Sequence, residues 1–265
     1  MAFSPDGQIL ASGAANGTVT LWDVEHGIAL RTVLGHPSGV ESVAFSPKGN
    51  TFASASPSHR NTIMLWNVSN CSLIRTFDLN ISTAYSPIIA FTHDGRLMAI
   101  EIDNPTINLW DVSNGSSIQT FEGHYNVVHV TISPDGHTLA SSFDDRTVTL
   151  WELDSGTELR TLSDDSEDPV RGIAFSPNGH ILAWAIGSVV TLWDVDSGTK
   201  LRSLSSSSTI EGFDLAFSPD GHILATDSDN STTTLWDVDS GKELRILAGH
   251  SDDVNINSVN SIVFS

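Results

Sequence analysis

The chain has 265 residues, of which 39% are hydrophobic, and its 32 acidic and 12 basic residues give a formal net charge of −20. A surface this acidic repels phosphate backbones, so nucleic-acid binding is not expected, whereas basic protein partners are favoured. No apolar run approaches the roughly 18–20 residues that a membrane span needs, and no N-terminal secretory signal is evident. We therefore expect a cytoplasmic protein with no direct membrane insertion.

A phrase centred on tryptophan recurs six times along the chain, at intervals of 44, 44, 41, 42 and 43 residues. Its tryptophans are Trp22, Trp66, Trp110, Trp151, Trp193 and Trp236. Each lies in a stretch such as TLWDV, and each unit also contains a phrase close to AFSPDG and another close to ILAS. Six concordant copies exclude chance, and the chain is predicted to be a repeat protein.

Each unit predicts four short strands in chain order. The first strand ends at AFS, and SPDG then forms a tight turn, because proline presets φ and glycine accepts positive φ. ILAS lies on the second strand, TVTLWDV on the third, and LRTL on the fourth, after a turn such as DSGT. No segment keeps a helical period over three turns, so almost no helix is expected.

The phrases divide the chain into approximate units. These are residues 1–43, 44–89, 90–130, 131–173, 174–215 and 216–257, followed by a closing strand at 258–265. Such units, with their Trp-Asp pairs and occasional Gly-His, resemble the WD40 repeat. The resemblance implies a single all-β domain over residues 1–265, a β-propeller of four-stranded antiparallel blades.

Two architectures are compatible with these repeats. In the first, six blades close into a ring, and Ile262 and Phe264 complete the inner strand of the first blade. In the second, the chain is an incomplete seven-bladed propeller, open or completed by another chain. We favour the six-bladed form, because an open ring would expose two unpaired blade faces to water.

The resemblance also implies a buried polar network in some blades. WD40 blades often link a histidine, a serine or threonine, an aspartate and the tryptophan by hydrogen bonds. One unit matches completely, with His124, Ser141, Asp145 and Trp151. The second unit has His36 and Trp66, but Arg60 stands where aspartate is expected.

No motif indicates catalysis or a cofactor. His137, His180 and His222 occupy equivalent positions in three successive units. Equivalent positions on neighbouring sheets lie roughly 10 Å apart, too far to share one zinc ion with ligands at about 2 Å. The chain lacks a serine nucleophile elbow, a glycine-rich phosphate loop and a cysteine–histidine cluster. We expect a protein that is not an enzyme and binds neither cofactor nor metal.

Function is expected in the loops, because the repeat constrains the strands. Acidic residues and three aromatic residues occur in the loops expected on one face, where aromatic anchors amid a charged rim would suit a protein partner. The candidates are Tyr85, Glu101, Asp103, Tyr125, Phe143, Asp144, Asp164, Asp165, Glu167 and Asp168.

The leading hypothesis is therefore a non-catalytic interaction scaffold. It would bind a basic protein or peptide on the acidic loop face, as a subunit or module of a larger assembly. The alternative is a propeller that processes a sugar or another small molecule with acidic residues at the central channel. Convergent buried carboxylates with shifted pKa values would favour this alternative.

Overall fold

The computed structural model describes residues 1–56, 62–79, 89–103, 105–124, 126–164, 166, 168–205, 215–227, 232–248, 262 and 264. In these ranges every regular element is a β-strand, and 24 strands form six four-stranded sheets. Neighbouring strands in each sheet follow one another in the chain and pair antiparallel. The fold is a six-bladed β-propeller, which confirms the predicted fold class.

The chain divides into two compact units, residues 1–123 and residues 124–264. The first unit contains blades 1 to 3. Their strands are β1 (Ala2–Phe3), β2 (Ile9–Gly13), β3 (Thr18–Asp23), β4 (Ile28–Leu34), β5 (Ser42–Phe45), β6 (Thr51–Ser56), β7 (Thr62–Asn67), β8 (Leu73–Asp78), β9 (Ile89–Phe91), β10 (Leu97–Asp103), β11 (Thr106–Asp111) and β12 (Ser117–Glu122).

The second unit contains blades 4 to 6. Their strands are β13 (Val127–Ile132), β14 (Thr138–Phe143), β15 (Thr147–Glu152), β16 (Glu158–Ser163), β17 (Val170–Phe175), β18 (Ile181–Ile186), β19 (Val189–Asp194), β20 (Lys200–Ser205), β21 (Leu215–Phe217), β22 (Ile223–Asp227), β23 (Thr232–Asp237) and β24 (Glu243–Ala248). The predicted boundaries after residues 43, 89, 130, 173 and 215 fall inside β5, β9, β13, β17 and β21, because the AFS phrase belongs to the first strand of each blade.

The predicted closing residues Ile262 and Phe264 are half-buried and lie outside the assigned strands. The other residues of the segment 258–265 are outside the described part of the chain. The first strand of blade 1 is β1, which pairs with β2 through Ala2 and Phe3. The closing role of Ile262 and Phe264 stays a prediction.

The repeated SPDG phrase forms the turn between the first and second strands of a blade. In blade 1, Ser4 Oγ donates to Asp6 Oδ1 at 2.5 Å, and the Ile9 amide donates to Ser4 Oγ at 2.9 Å. Gly7 has a φ of 70°, as the turn requires. The hydrogen bonds from Ser4 and from the Gln8 amide hold the pKa of Asp6 below its usual value. Side-chain hydrogen bonding thus explains why this phrase recurs.

The tryptophan of each unit marks a β-bulge. In every blade the pairing of the third strand with the fourth shifts register between the leucine and the tryptophan of the LW pair. Blade 5 shows this between Leu192 and Trp193. A bulge bends the strand and increases its twist, so the LW pair fixes local geometry as well as packing.

Neighbouring blades within a unit pack two different faces together. Blade 5 contributes Ala183, Val190, Leu192 and Leu204, which we call its aliphatic face. Blade 6 covers it with Leu224, Trp236 and Val238, which we call its tryptophan face. Equivalent residues pack blade 4 on blade 5, blade 1 on blade 2, and blade 2 on blade 3. The core is therefore a repeated contact between an aliphatic face and a tryptophan face.

An arginine on the fourth strand reinforces this contact. Arg202 Nη1 of blade 5 donates to the Ser240 carbonyl of blade 6 at 2.6 Å, and Arg75 Nη2 of blade 2 donates to the Ser113 carbonyl of blade 3 at 3.1 Å. The Ser240 carbonyl directly precedes Gly241, and the Ser113 carbonyl lies two residues before Gly115; both turn glycines have positive φ, 72° and 75°. A Cβ at Gly241 would lie 2.5 Å from Arg202 Cδ. Glycine is thus required for two reasons: it adopts the positive φ without strain, and it leaves room for the arginine side chain.

We expect Gly241→Ala to lower the free energy of unfolding by about 2–3 kcal/mol, since it adds a positive-φ penalty and displaces Arg202. Gly27→Ala is the matched control, because Gly27 occupies the same turn of blade 1 with a φ of 65° and has nothing within 4 Å of an added Cβ. Its expected cost is the backbone penalty alone, about 1–2 kcal/mol. Urea unfolding measures both, and equal losses would refute the role of Arg202.

Candidate interaction site

The second unit contains a cleft of about 360 Å³ beside the segment that joins β16 to β17. Two of the acidic residues predicted from the sequence, Asp164 and Asp168, line it. The remaining lining is mostly hydroxyl and aliphatic groups, from Ser166, Ile186, Ser188, Val189, Thr191, Lys200, Ser203 and Ser205. The cleft therefore combines two carboxylates with serine hydroxyls and aliphatic groups.

The two carboxylates of the cleft have different environments. Asp164 is 19% exposed, and its Oδ2 lies 2.8 Å from Lys200 Nζ, so an internal cation already balances its charge. Asp168 is exposed at the end of the cleft. Gly187 allows Asp168 to come this close, because a Cβ there would lie 2.6 Å from Asp168 Oδ2. Asp168 thus presents a negative charge to an incoming group.

The other predicted binding residues are distributed differently. Asp144 is exposed in the turn between β14 and β15, and Asp145 in the same turn accepts hydrogen bonds from the amide and hydroxyl of Thr147, at 3.1 and 2.7 Å. The prediction that Phe143 anchors a partner is wrong. Phe143 has no exposed surface, because it is the last residue of β14, pairs with Val127 and points into the core.

Several predicted residues cannot be placed at the site. Tyr85, Tyr125, Asp165 and Glu167 lie outside the described residues. Glu101 and Asp103 belong to the backbone of β10, and their side chains are outside the described part. Their roles in binding stay predictions.

The polar network occurs in blade 2 rather than in blade 4. Trp66 Nε1 donates to Ser54 Oγ at 2.9 Å, and the same oxygen lies 2.7 Å from His36 Nε2. Thr62 Oγ1 lies 3.3 Å from His36 Nδ1, so a hydroxyl takes the place expected for aspartate. His36 is buried, and burial lowers its pKa below the ordinary value.

The predicted network of His124, Ser141, Asp145 and Trp151 needs correction. Trp151 Nε1 does donate to Ser141 Oγ at 2.8 Å. The His124 side chain, however, is 55% exposed, and its Nε2 lies 3.7 Å from the carboxylate of Glu158. An exposed imidazole facing a surface carboxylate cannot join the buried pair, so His124 is outside the network.

His129 is a half-buried histidine with a shielded ring nitrogen, and sequence reasoning did not identify it. It lies on β13 with Ser142 as its register partner on β14. His129 Nδ1 and Ser142 Oγ are both shielded from solvent and lack hydrogen-bond partners among the described residues. Burial lowers the pKa of His129 to about 4 from its ordinary value of 6.5.

The lowered pKa of His129 predicts a pH-dependent stability. Between pH 6.5 and about 4 the unfolded chain binds a proton that the folded chain does not, so stability is present above 6.5 and is lost as the pH falls. We expect this histidine to account for about 2–3 kcal/mol of that loss. Urea unfolding of His129→Gln should show a shallower pH dependence than the unmodified protein. His137→Gln, at an exposed turn position, is the control, and equal slopes for His129→Gln and the unmodified protein would refute the role of His129.

Two of the three equivalent turn histidines form ion-pair contacts with aspartates. His180 Nδ1 is 3.6 Å from Asp196 Oδ2, and His222 Nδ1 is 3.6 Å from Asp239 Oδ2, all of them strongly exposed. Among the described residues, no three side chains of histidine, cysteine, aspartate or glutamate are grouped to hold a metal ion.

The shifted carboxyl groups are turn residues. The pKa values of Asp111, Asp194 and Asp237 are lowered, first by the hydroxyl of Ser113, Ser197 or Ser240 and then by backbone amides of the same turn. A general acid needs a raised pKa, so these groups favour turn structure rather than the sugar-processing alternative.

Repeated four-stranded antiparallel blades, each with a bulged tryptophan strand, define a protein of the β-propeller class. The WD40 family model, described as "WD domain, G-beta repeat", matches residues 1–23, 27–67, 115–152, 156–194 and 198–237. The chain belongs to this family, as the repeat phrases indicated. In the described part of the chain, no helix has the length and hydropathy needed to cross a membrane.

Curated relatives match over parts of the chain. An uncharacterized WD repeat-containing protein of Synechocystis, sll1491, is 40% identical over 95 residues, 36% of this chain and 26% of that protein. Eukaryotic translation initiation factor 3 subunit I of Aspergillus oryzae is 35% identical over 99 residues, 37% of this chain and 28% of that protein. The match thus spans about a quarter of the length of these relatives.

Proposed function

We propose that this chain is a non-catalytic scaffold that binds a basic segment of a partner protein in the cleft beside Asp164 and Asp168. Proteins of the WD40 family are generally protein-interaction scaffolds. The observation that carries the proposal is the pairing of Lys200 Nζ with Asp164 at 2.8 Å next to the exposed Asp168. A lysine or arginine of a partner can take a comparable place at Asp168.

The chemistry of the cleft suits a long cationic side chain. Lysine and arginine carry an aliphatic stem that packs on apolar surface while the charged head stays at the rim. Val189 and Ile186 supply apolar surface, and Asp168 supplies the counter-charge. The net charge of −20 would also speed the approach of a basic partner at low salt.

A role within a larger assembly is part of this proposal. One relative is by its name a subunit of an initiation factor, and such a subunit works among other proteins. We propose by this likeness that the chain is a component of a multiprotein complex. A cytoplasmic location stays a prediction.

Reversing the charge of Asp168 tests the site. A synthetic peptide alternating arginine and leucine should bind Asp168→Lys at least about tenfold more weakly than the unmodified protein, a difference of about 1.4 kcal/mol. Asp154→Lys is the control, because it makes the same change of net charge at an exposed turn of blade 4. Isothermal titration at low and high salt gives both values. Equal weakening by both variants would show that only the net charge matters and would refute the cleft.

Replacing Lys200 with glutamine (Lys200→Gln) should change the affinity for the peptide in the opposite direction. It removes the internal cation of Asp164 and should therefore tighten binding of the same peptide several-fold. The cost in folding should be small, about 0–1 kcal/mol, because Lys200 is 41% exposed. Unchanged or weaker binding would contradict a site in which the peptide's cation competes with Lys200.

A further inference from the structure

The boundary between blades 2 and 3 contains a pocket of about 260 Å³. It lies among the turns that follow β5, β9 and β11, and both blades belong to the first compact unit. Its lining includes two of the chain's 12 basic residues, Lys48 and Arg96. The hydroxyls of Ser46 and Ser113 and the carboxylate of Asp111 also line it. A chain with a net charge of −20 thus gathers two cations at one place.

Lys48 replaces the acceptor of a repeated turn. The turn serine or threonine of every other blade donates a hydrogen bond to the equivalent residue, which is Asp6, Asp94, Asp135, Asn178 or Asp220. Ser218 Oγ, for example, donates to Asp220 Oδ1 at 2.5 Å. An ammonium group has three donors and no acceptor, so Lys48 cannot take this role. The turn of blade 2 therefore holds a hydroxyl that has lost its usual acceptor.

That hydroxyl belongs to Ser46, which is 1% exposed and directs its Oγ towards blade 3. A Cβ added to Gly95 of blade 3 would clash with Ser46 Oγ, whereas at Gly49, Gly179 and Gly221 the nearest atom is a proline Cδ of the preceding blade. Ser46 Oγ makes no side-chain hydrogen bond among the described residues. A buried donor without a partner at the wall of a pocket favours a ligand that accepts a hydrogen bond.

The two cations of the pocket are exposed and lie near one carboxylate. Arg96 Nε is 3.9 Å from Asp94 Oδ2, and no carboxylate of the described residues lies within 4 Å of Lys48 Nζ. Hydrogen bonds from the Arg96 amide and the Thr92 hydroxyl lower the pKa of Asp94, and the positive charges of Arg96 and Lys48 lower it further. Lys48 of blade 2 is thus close enough to act on a group of blade 3.

The carboxylates at the pocket are engaged by their own turns. Asp94 Oδ1 accepts hydrogen bonds from Thr92 Oγ1 and the Arg96 amide, at 2.7 and 3.0 Å. Asp111 Oδ1 accepts from the amide and the hydroxyl of Ser113, at 2.8 and 2.5 Å. These carboxylates offset part of the positive charge of the pocket, so a small anion should bind weakly, with a dissociation constant of about 1 mM or more.

We propose that this pocket binds a phosphate group, with Lys48, Arg96 and Ser46 as its donors. Ammonium and guanidinium groups are the usual partners of phosphate oxygens. The three donors belong to two turns of two blades, which suits an anion whose acceptor oxygens point in several directions better than a planar carboxylate. Free phosphate and a phosphorylated side chain both present such a group. This inference rests on blades 2 and 3 and is independent of the proposed peptide site.

Lys48→Asp tests the site because it restores the SPDG phrase. It should weaken the binding of inorganic phosphate at least about tenfold, since a carboxylate replaces a cation. Stability should be kept or increased, because Ser46 regains the acceptor that its equivalents have. Lys242→Asp is the control, with the same change of net charge at an exposed lysine just before β24. Isothermal titration with inorganic phosphate at constant ionic strength measures the binding, and urea unfolding measures the stability. Equal weakening by both variants, or no phosphate binding by the unmodified protein, would overturn the proposal.

Ser46→Ala and Arg96→Gln separate a binding role from a structural one. Each should weaken phosphate binding several-fold with little change in the urea midpoint, because Ser46 Oγ has no partner to lose and Arg96 is exposed. Ser218→Ala is the matched control, since Ser218 Oγ donates to Asp220 and accepts from the Ile223 amide. It should lower the urea midpoint and leave phosphate binding unchanged. Unchanged phosphate affinity in Ser46→Ala or Arg96→Gln would overturn the assignment of the donors.

Comparing inorganic phosphate with O-phosphoserine identifies the source of the group. Tighter binding of O-phosphoserine would assign the pocket to a phosphorylated side chain, and tighter binding of inorganic phosphate would assign it to the free anion. In both cases Lys48→Asp should remove the binding. An affinity for either probe that survives Lys48→Asp would place the anion elsewhere and overturn the proposal.

Discussion

Replacing His36 with alanine is expected to lower the free energy of unfolding by about 3 kcal/mol. The imidazole is 2% exposed and is hydrogen-bonded on both nitrogens, to Ser54 Oγ at 2.7 Å and to Thr62 Oγ1 at 3.3 Å. Its removal leaves a cavity and takes a partner from two hydroxyls, one of them also an acceptor for Trp66. Urea unfolding monitored by tryptophan fluorescence measures the loss.

His124→Ala is the matched control for this network. His124 also follows a glycine at the equivalent place of its unit, but its side chain is 55% exposed beside Glu158. We expect a change within about 0.5 kcal/mol. If the two alanine variants lose equal stability, the assignment of the network to blade 2 is wrong.

The strand order could be predicted from the sequence because its determinants are local. SPDG makes its turn with hydrogen bonds inside the phrase, as Ser218 Oγ shows by donating to Asp220 Oδ1 and accepting from the Ile223 amide. Alternation along the TLWD strands sets which side chains are buried. Repetition then turns one local pattern into six blades without any long-range information.

The polar network could not be assigned in the same way. Position alone favoured His124, because all four residue types of the motif are present in its unit. The network forms around His36 instead, because a threonine hydroxyl replaces the missing carboxylate and the imidazole is buried against Ser54 and Trp66. Which histidine is buried depends on side-chain packing that the motif does not encode.

The candidate cleft was predicted only in part. Asp164 and Asp168 were identified from charge in a loop, but Lys200, which balances Asp164, lies 36 residues further along the chain. Asp164 lies at the start of the β16–β17 loop and Lys200 at the start of β20, so their contact depends on how two neighbouring blades pack. The prediction that Phe143 anchors a partner was wrong for a related reason. Its place at the end of β14 resembles a loop position until its pairing with Val127 is known.

Trp184 marks a local exception to the repeat. In blades 1, 2, 4 and 6 the repeated tryptophan donates its Nε1 hydrogen to a hydroxyl on the second strand, as Trp151 does to Ser141 and Trp236 does to Thr226. In blade 5 Trp184 holds that position, and its ring centroid lies 4.5 Å from that of Trp193. The Nε1 atoms of both indoles are buried without a hydrogen-bond partner in the described part of the chain. Blade 5 has therefore exchanged a hydrogen bond for aromatic packing.

Trp184→Ala should lower the free energy of unfolding by about 4 kcal/mol, because a completely buried indole leaves a large cavity. Trp184→Phe should cost less, about 1–2 kcal/mol, since it keeps a ring beside Trp193 and removes an unsatisfied donor. Chemical unfolding of the two variants under identical conditions gives the comparison.

Trp184→Ser provides the sharper comparison with alanine. At an apolar buried position serine is normally the worse residue, because its hydroxyl loses water without gaining a partner. Here we expect serine to be better than alanine by about 1 kcal/mol, since its Oγ can accept the Trp193 Nε1 hydrogen as in blades 1, 2, 4 and 6. A serine variant less stable than the alanine variant would mean that the indole of Trp193 does not return to the geometry of its equivalents. The order of these two variants, rather than the size of either loss, thus decides whether Trp184 replaced a hydrogen bond.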